Sequence, residues 1–162
     1  RNYTTSFFAE LLQDLRSRQP YAGIGIDLIV GFPGETEKEF EETYRFVESL
    51  PVSYLHVYPY SRRPGTPAAS LVGHIPGDIA RLRAARMRQL GEEKQRQFAR
   101  DFVDQSLEVI AEAGFKGGKM RAVADNYLSV QLPADEKLIG KRQFVKVTGY
   151  RRQGLEGEAL HL

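Results

Sequence analysis

Between Tyr58 and Thr66 the chain crowds Tyr58, Tyr60, Ser61, Arg62, Arg63 and Thr66 into one short stretch. Tyrosine rings stack on a flat heterocycle, and an arginine fork grips a phosphate or carboxylate through paired N–H groups. The plainer reading is a proline-stiffened surface loop whose tyrosines pack against a rim. A second candidate is Ile26-Asp-Leu-Ile-Val-Gly-Phe-Pro-Gly-Glu-Thr36, in which Gly31 and Gly34 let the backbone approach a ligand closely. Its plainer reading is an ordinary strand-to-helix turn. It is neither the dinucleotide Gly-x-Gly-x-x-Gly loop nor a phosphate loop ending in Gly-Lys-Ser/Thr, so nucleotide triphosphate chemistry has little support.

A third group mixes cations with aromatics: Lys116, Lys119, Arg121, Tyr127, Lys141, Arg142, Lys146, Tyr150, Arg151 and Arg152. Single-stranded RNA binders use that combination, and a small domain exposing lysines for solubility shows it too. Acid-base hydrolysis is unsupported, because Asp27, Glu35 and Asp125 have no pair spacing. The chain has no cysteine, so it holds no disulfide, thiolate nucleophile or cysteine-bound metal. Its histidines, His56, His74 and His161, lack ligand spacing. His56 lies within a strand pattern, where a hydrogen-bonded core histidine is the expectation.

The elements that would position these groups follow from periodicity. Thr4, Thr5 and Ser6 offer helix caps, and Phe8, Leu11, Leu12 and Leu15 follow at helical spacing until Pro20. Ile24 to Val30 is apolar and β-branched, as expected of a strand buried on both faces of a parallel sheet. Thr36 and Glu39 form a capping box, with Phe40, Tyr44 and Val47 as the stripe of the next helix. Tyr54 to Tyr58 is expected as a second buried strand. Pro59 to Pro76 is a long Pro- and Gly-rich connection at the end of that strand, the side on which α/β folds bind ligands. A long helix is expected from Asp78 to about Val103, with Met87, Leu90, Phe98 and Phe102 on one stripe and arginines around the rest.

Beyond it the pattern turns to β. Leu107, Val109 and Ala111 alternate with polar residues, Gly117-Gly118 breaks the chain, Asp125-Asn126 precedes a strand from Tyr127 to Leu132, and Phe144, Val145 and Val147 precede Gly149. Four or five short strands in so little chain predict a small antiparallel barrel. The fold class is therefore α/β over residues 1–103, βα units of an open parallel sheet or of an α/β barrel, and a small antiparallel β-barrel over 104–162. Two parallel strands cannot close a barrel alone, so the missing ones are expected in sequence absent here or in another chain; exposed sheet edges make self-association an alternative.

The length of 162 residues and 41% hydrophobic content suit one or two globular units. No apolar run approaches the roughly 20 residues of a membrane span and no signal peptide pattern is visible, so the chain reads as soluble, cytoplasmic and without a membrane partner. Net charge is only +2, but Arg81 to Arg100 carries seven basic residues against two acidic ones, and Gly114 to Leu162 nine against five. A basic half attracts a phosphate backbone; a solvated helix face gives the same count. The opening on Arg1 rather than methionine is expected of a piece cut from something longer.

Arg1-Asn-Tyr-Thr4, Asp27-Leu-Ile-Val-Gly-Phe-Pro-Gly-Glu-Thr36, Tyr60-Ser-Arg-Arg-Pro-Gly-Thr-Pro-Ala-Ala69 and the Arg-rich helix after Pro76 together resemble the methylthiotransferase family of radical S-adenosylmethionine enzymes. The resemblance covers essentially the whole chain. It implies the C-terminal part of a partial α/β barrel followed by a TRAM domain, an OB-like RNA- or substrate-binding module. Asp125-Asn-Tyr-Leu-Ser-Val130, Ile139-Gly-Lys141 and Tyr54-Leu-His-Val-Tyr58 look most like the branch that modifies threonylcarbamoyladenosine in tRNA. The isopentenyladenosine branch and the ribosomal protein S12 branch are the neighbours, and Arg63 stands where the ribosomal branch usually has an acidic residue.

The family's cofactors would be S-adenosylmethionine and two 4Fe-4S clusters, whose cysteine ligands lie upstream in such proteins, so this chain holds no cluster ligand and no catalytic residue. By the same resemblance, Asp27, Ile29, Gly31, Pro33, Gly34, Tyr58 and Tyr60 would line the S-adenosylmethionine pocket. Arg63, Thr66, Lys119, Arg121, Tyr127, Arg142 and Lys146 would contact the substrate, expected to be a tRNA anticodon stem-loop. A free-standing RNA-binding module is the competing expectation.

Overall fold

The computed structural model describes residues 3–151 and 154–160. Arg1, Asn2, Arg152 and His161, named above, lie outside the described residues. The chain divides into two compact units, Arg1–Lys94 and Gln95–Leu162. The division falls inside one helix. Among the described residues no helix is long and apolar enough to cross a membrane.

The first unit contains α1 (Thr5–Arg18), β1 (Gly25–Val30), α2 (Glu37–Ser49), β2 (Tyr54–Pro59) and most of α3 (Gly77–Arg100). Thr4 caps α1 by accepting the Phe7 N–H, and the Thr36–Glu39 capping box of α2 forms in both directions. The strands pair in parallel, Gly25 opposite Tyr54 through Val30 opposite Pro59. Their covered face meets the helices in a core of Val30, Phe40, Val47, Val57, Ala84, Met87 and Leu90. Phe40 is fully buried, worth about 1.5–3 kcal/mol over an exposed phenylalanine. Small residues bring α3 close: a Cβ on Gly91 would stand 3.1 Å from that of Leu55.

Burial on both strand faces does not hold. β1 alternates, with Ile26, Leu28 and Val30 turned inward while Asp27 and Ile29 are exposed. β2 buries Val57 and leaves His56 and Tyr58 exposed. A two-stranded sheet with helices on one side leaves its other face open, and period-two alternation sends every second side chain there. His56 is thus an exposed residue whose ring meets the edge of Tyr54 at 5.3 Å, not a core histidine. Of the α1 stripe only Leu12 is buried; Leu11 and Leu15 are exposed.

The second unit is a closed five-stranded barrel of β3 (Ser106–Lys116), β4 (Lys119–Ala124), β5 (Ser129–Pro133), β6 (Arg142–Arg151) and β7 (Gly154–Ala159), in the order β3-β4-β5-β7-β6. Alternating inward residues fill it, including Leu107, Val109, Met120, Ala122, Val130, Leu132, Val145, Val147 and Leu155, with Phe98 and Phe102 packed in the same core. The barrel is not wholly antiparallel. β5 and β7 pair in parallel, Val130 opposite Leu155 and Gln131 opposite Glu156. Five is odd, so strand directions cannot alternate all the way around a closed ring, and one parallel seam is the minimum. The strand expected from Tyr127 starts instead at Ser129, because Tyr127 takes φ +66° in the turn before it.

Candidate functional site

In the first unit the candidate site forms where β1 and β2 end. Ile29 and Tyr58 are register partners, 59% and 53% exposed, side by side on the open sheet face. Tyr60 continues this edge by donating its N–H to the Val30 carbonyl at 2.8 Å. Its ring meets Phe32 edge-on at 5.3 Å and stacks on His74 at 6.1 Å. Ile29, Phe32, Tyr58, Pro59, Tyr60, Ser61, Arg63, Thr66 and Ala68 enclose a cleft of about 570 Å³. Its walls are apolar and aromatic, with Arg63 as the cation. The Tyr60 hydroxyl is buried with no partner among the described residues, and buried hydroxyls ordinarily have one. Thr66 turns its own hydroxyl inward, donating to the Arg63 carbonyl at 2.8 Å and bracing the Pro64-Gly65 bend.

The structure thus brings Ile29, Tyr58, Tyr60, Arg63 and Thr66 together. It keeps four other sequence candidates off the cleft wall. Gly31 donates its N–H to both carboxylate oxygens of Glu35 at 3.1 Å, and a Cβ there would meet that of Ala80 at 2.7 Å. Gly34 donates to the Gly73 carbonyl, and Pro33 is buried. Asp27 is exposed on the same strand face as Ile29 but does not line the cleft.

Sequence reasoning missed Phe32 in the cleft wall, His74 stacked on Tyr60, and Arg83 bound to Glu35 and Glu37. Arg83 is 6% exposed, and its fork binds Glu35 at 2.7 Å and Glu37 at 2.9 Å. A signal for it existed: Arg83 falls at i+3 from Ala80 and i−4 from Met87, inside the apolar stripe of α3.

In the barrel, the nominated cations are largely engaged. Glu156 accepts from Lys119 and from Arg151, the latter at 2.8 Å, and the Lys119 bond leads in holding its carboxyl below the usual range. Arg121 binds Glu112 at 2.8 Å and Ser129 at 2.7 Å, and Arg142 binds Glu108 at 2.6 Å. Lys146 donates to the Asp104 carbonyl. Lys116 and Lys141 are exposed, and neither has an ion pair among the described residues. Tyr127 is 72% exposed, raised on a turn that Asn126 closes by accepting the Leu128 N–H at 3.2 Å. A bulky residue at positive φ is strained, and such strain concentrates at functional sites. Among the described residues no group of three His, Cys, Asp or Glu is placed to hold a metal ion.

Parallel strands ending at an aromatic cleft, followed in the chain by a small closed barrel, define an α/β segment with a β module after it. No family model matches the chain. It is 38% identical over 151 residues to the threonylcarbamoyladenosine tRNA methylthiotransferase MtaB of Bacillus subtilis, covering 91% of this chain and 34% of that protein. It is 34% identical over 160 residues to the tRNA-2-methylthio-N(6)-dimethylallyladenosine synthase of Protochlamydia amoebophila, covering 98% of this chain and 36% of that protein. The synthase of the same name from Halalkalibacterium halodurans matches at 33% over 168 residues, 100% of this chain and 30% of that protein. The chain belongs to the tRNA methylthiotransferase family. It spans about a third of the length of the curated relatives it matches.

Proposed function

We propose that this chain is a segment of a radical S-adenosylmethionine methylthiotransferase that places a methylthio group on a modified adenosine of tRNA. The observation that carries the reading is homology along nearly the whole chain, joined to a cleft of Ile29, Phe32, Tyr58 and Tyr60 at the ends of parallel strands. In this reading residues 1–103 are the C-terminal part of the catalytic α/β barrel. Residues 104–162 are the TRAM domain, whose strand order β3-β4-β5-β7-β6 is that of an OB-type barrel. The threonylcarbamoyladenosine branch is favoured by the Bacillus subtilis relative and by the Asp125–Val130 and Tyr54–Tyr58 phrases.

The cleft fits S-adenosylmethionine chemically. Aromatic and aliphatic faces accept a flat purine, Arg63 suits a carboxylate, and the Tyr60 hydroxyl is left for a polar partner. Of the site residues, Ile29, Tyr58, Tyr60 and Arg63 have direct roles; Gly31, Pro33 and Gly34 act by shaping the turn; Asp27 would meet only an extended part of the ligand. When bound, the cofactor supplies the radical and methyl-transfer chemistry. This chain contributes a dry wall that orients it. With no cysteine here, the 4Fe-4S clusters of the proposed enzyme would be held by residues outside this chain.

The barrel takes the tRNA, with Tyr127 as a stacking platform and Lys116, Lys141 and the cations around them as phosphate contacts. Binding of an anticodon stem-loop to this chain across a salt series tests that half of the reading. Affinity is expected to fall linearly on a log–log plot as counterions are released. Binding no stronger than that of a neutral control protein at low salt would remove it.

A further inference from the structure

We infer that Arg83 is a positioning residue for the cleft, acting through Glu35 on the turn that carries Phe32. Arg83 sits on α3, 48 residues along the chain from Glu35 and nearly out of solvent. Its Nη1 donates to the Glu35 carbonyl at 2.9 Å and to the Glu35 carboxylate at 2.7 Å, while Nη2 donates to Glu37 at 2.9 Å. The guanidinium also lies over the Phe40 ring at 5.3 Å. One planar fork therefore holds a carbonyl and two carboxylates at once, which a lysine ammonium on its flexible stem cannot reproduce.

Glu35 passes this constraint on. Both of its carboxylate oxygens accept the Gly31 N–H, and its own N–H donates to the Phe32 carbonyl at 2.9 Å. Gly31 has φ +73° and is pressed against Ala80, three residues before Arg83 on the same helix. One end of α3 thus supplies both the floor under Gly31 and the counter-charge that keeps Glu35 turned inward. A carboxylate this buried without its cation would turn out to water, and the Gly31 N–H would lose its acceptor. The residue between these anchors is Phe32, whose ring forms the cleft wall against Tyr60. Gly31 N–H and Val30 C=O are both consumed inside the protein. At this edge the cleft therefore meets a ligand with ring faces and aliphatic carbon, and the position of those faces depends on Arg83.

The importance of Phe32 to a ligand rests on the cofactor reading above; the positioning itself is tested without any ligand. Amide hydrogen exchange and the Phe32–Tyr60 ring nuclear Overhauser contact would be measured in this chain, in Arg83→Lys, in Glu35→Ala and in the double variant. Each single variant is expected to speed Gly31 exchange by about tenfold or more, as loss of a bond to a charged acceptor should. The ring contact should weaken while the core amides of Val57 and Met87 keep their protection. The double variant should be no faster than Glu35→Ala alone. Unchanged Gly31 exchange, an intact ring contact or additive effects would overturn the proposal, and if Arg83→Lys loses protection globally the same readouts on Arg83→Gln, which keeps a donor but not the charged fork, decide it on the same terms. Titration of the unmodified enzyme with S-adenosylmethionine tests the cofactor reading separately, and absence of binding there would sink that reading alone.

Discussion

Gly34 donates its backbone N–H to the carbonyl of Gly73 at 2.8 Å, tying the turn after β1 to the far end of the long connection after β2. Both glycines have positive φ, and a Cβ on Gly73 would stand 3.5 Å from the Gly34 backbone. The connection is also fixed at its start, where Tyr60 bonds Val30. Its Pro67–Ser70 segment folds into a single 3-10 turn. A segment pinned at both ends holds Tyr60, Arg63 and Thr66 at the cleft with little conformational freedom left to lose on binding.

Substituting the two turn glycines separates backbone conformation from packing. At Gly34 a Cβ meets nothing within 4 Å, so Gly34→Ala should cost only the left-handed penalty of about 1–2 kcal/mol. Gly31→Ala adds the 2.7 Å overlap with Ala80 and should cost about 1–3 kcal/mol more. Urea unfolding of the two variants checks the order.

In the barrel, Gly157 lies beneath a carbonyl: a Cβ there would stand 2.8 Å from the Lys146 oxygen and 2.9 Å from Val130 Cγ1. Because a ladder carbonyl cannot swing aside as a side chain can, Gly157→Ala should destabilise the barrel by about 1–3 kcal/mol. Gly118→Ala, with open space at φ +73°, should cost less. Thermal melts followed through barrel amides would report the difference.

Acid should weaken the fold through three carboxylates. Glu39 is held low chiefly by the Thr36 backbone N–H, Glu41 by the hydrogen bond from Arg86, and Glu156 by that from Lys119. A carboxyl whose folded pKa lies below its ordinary value of 4.5 contributes stability that is present above that value and is lost as pH falls through the folded one. Stability should therefore hold from neutral pH to about 4.5 and decline below it. The deficit of Glu156→Gln relative to wild type should shrink over the same acid range, as read from urea midpoints at stepped pH.

Cations differ in what they can offer a phosphate. Arg121 and Arg142 must first release Glu112 and Glu108, whereas Lys116 and Lys141 have no ion pair to release among the described residues. Lys141→Ala should reduce the salt slope of stem-loop binding by about one unit, and Arg142→Ala by less. Fluorescence anisotropy across a salt series distinguishes them.

How much was legible depended on the range of each interaction. The capping box of Thr36 and Glu39 spans four residues and reads directly from the chain, as do the two strands of the first sheet and the alternation of Leu107, Val109 and Ala111. Arg83 is legible only in its place on the apolar stripe of α3; its partners Glu35 and Glu37 lie outside that helix, where no local pattern points to them. The exposed faces of Ile29 and Tyr58 were misread because β-branched and aromatic composition does not say whether anything covers a strand. The parallel β5–β7 seam follows from ring closure, which no local pattern encodes. Pairing of Lys119, Arg121 and Arg142 with acids on neighbouring strands was likewise invisible, since cross-strand register decides it.

The central claim is that the cleft of Ile29, Tyr58 and Tyr60 serves methylthiolation of tRNA. Nucleoside mass spectrometry of tRNA tests it, using cells that lack the gene for this protein and cells restored with the wild type or with Ile29→Asp. Ile29 is exposed, so the added charge should disturb the cleft and spare the fold. Deletion is expected to abolish a methylthiolated adenosine, wild type to restore it, and Ile29→Asp to fail while accumulating normally. An unchanged nucleoside profile on deletion, or full restoration by Ile29→Asp, would contradict the account.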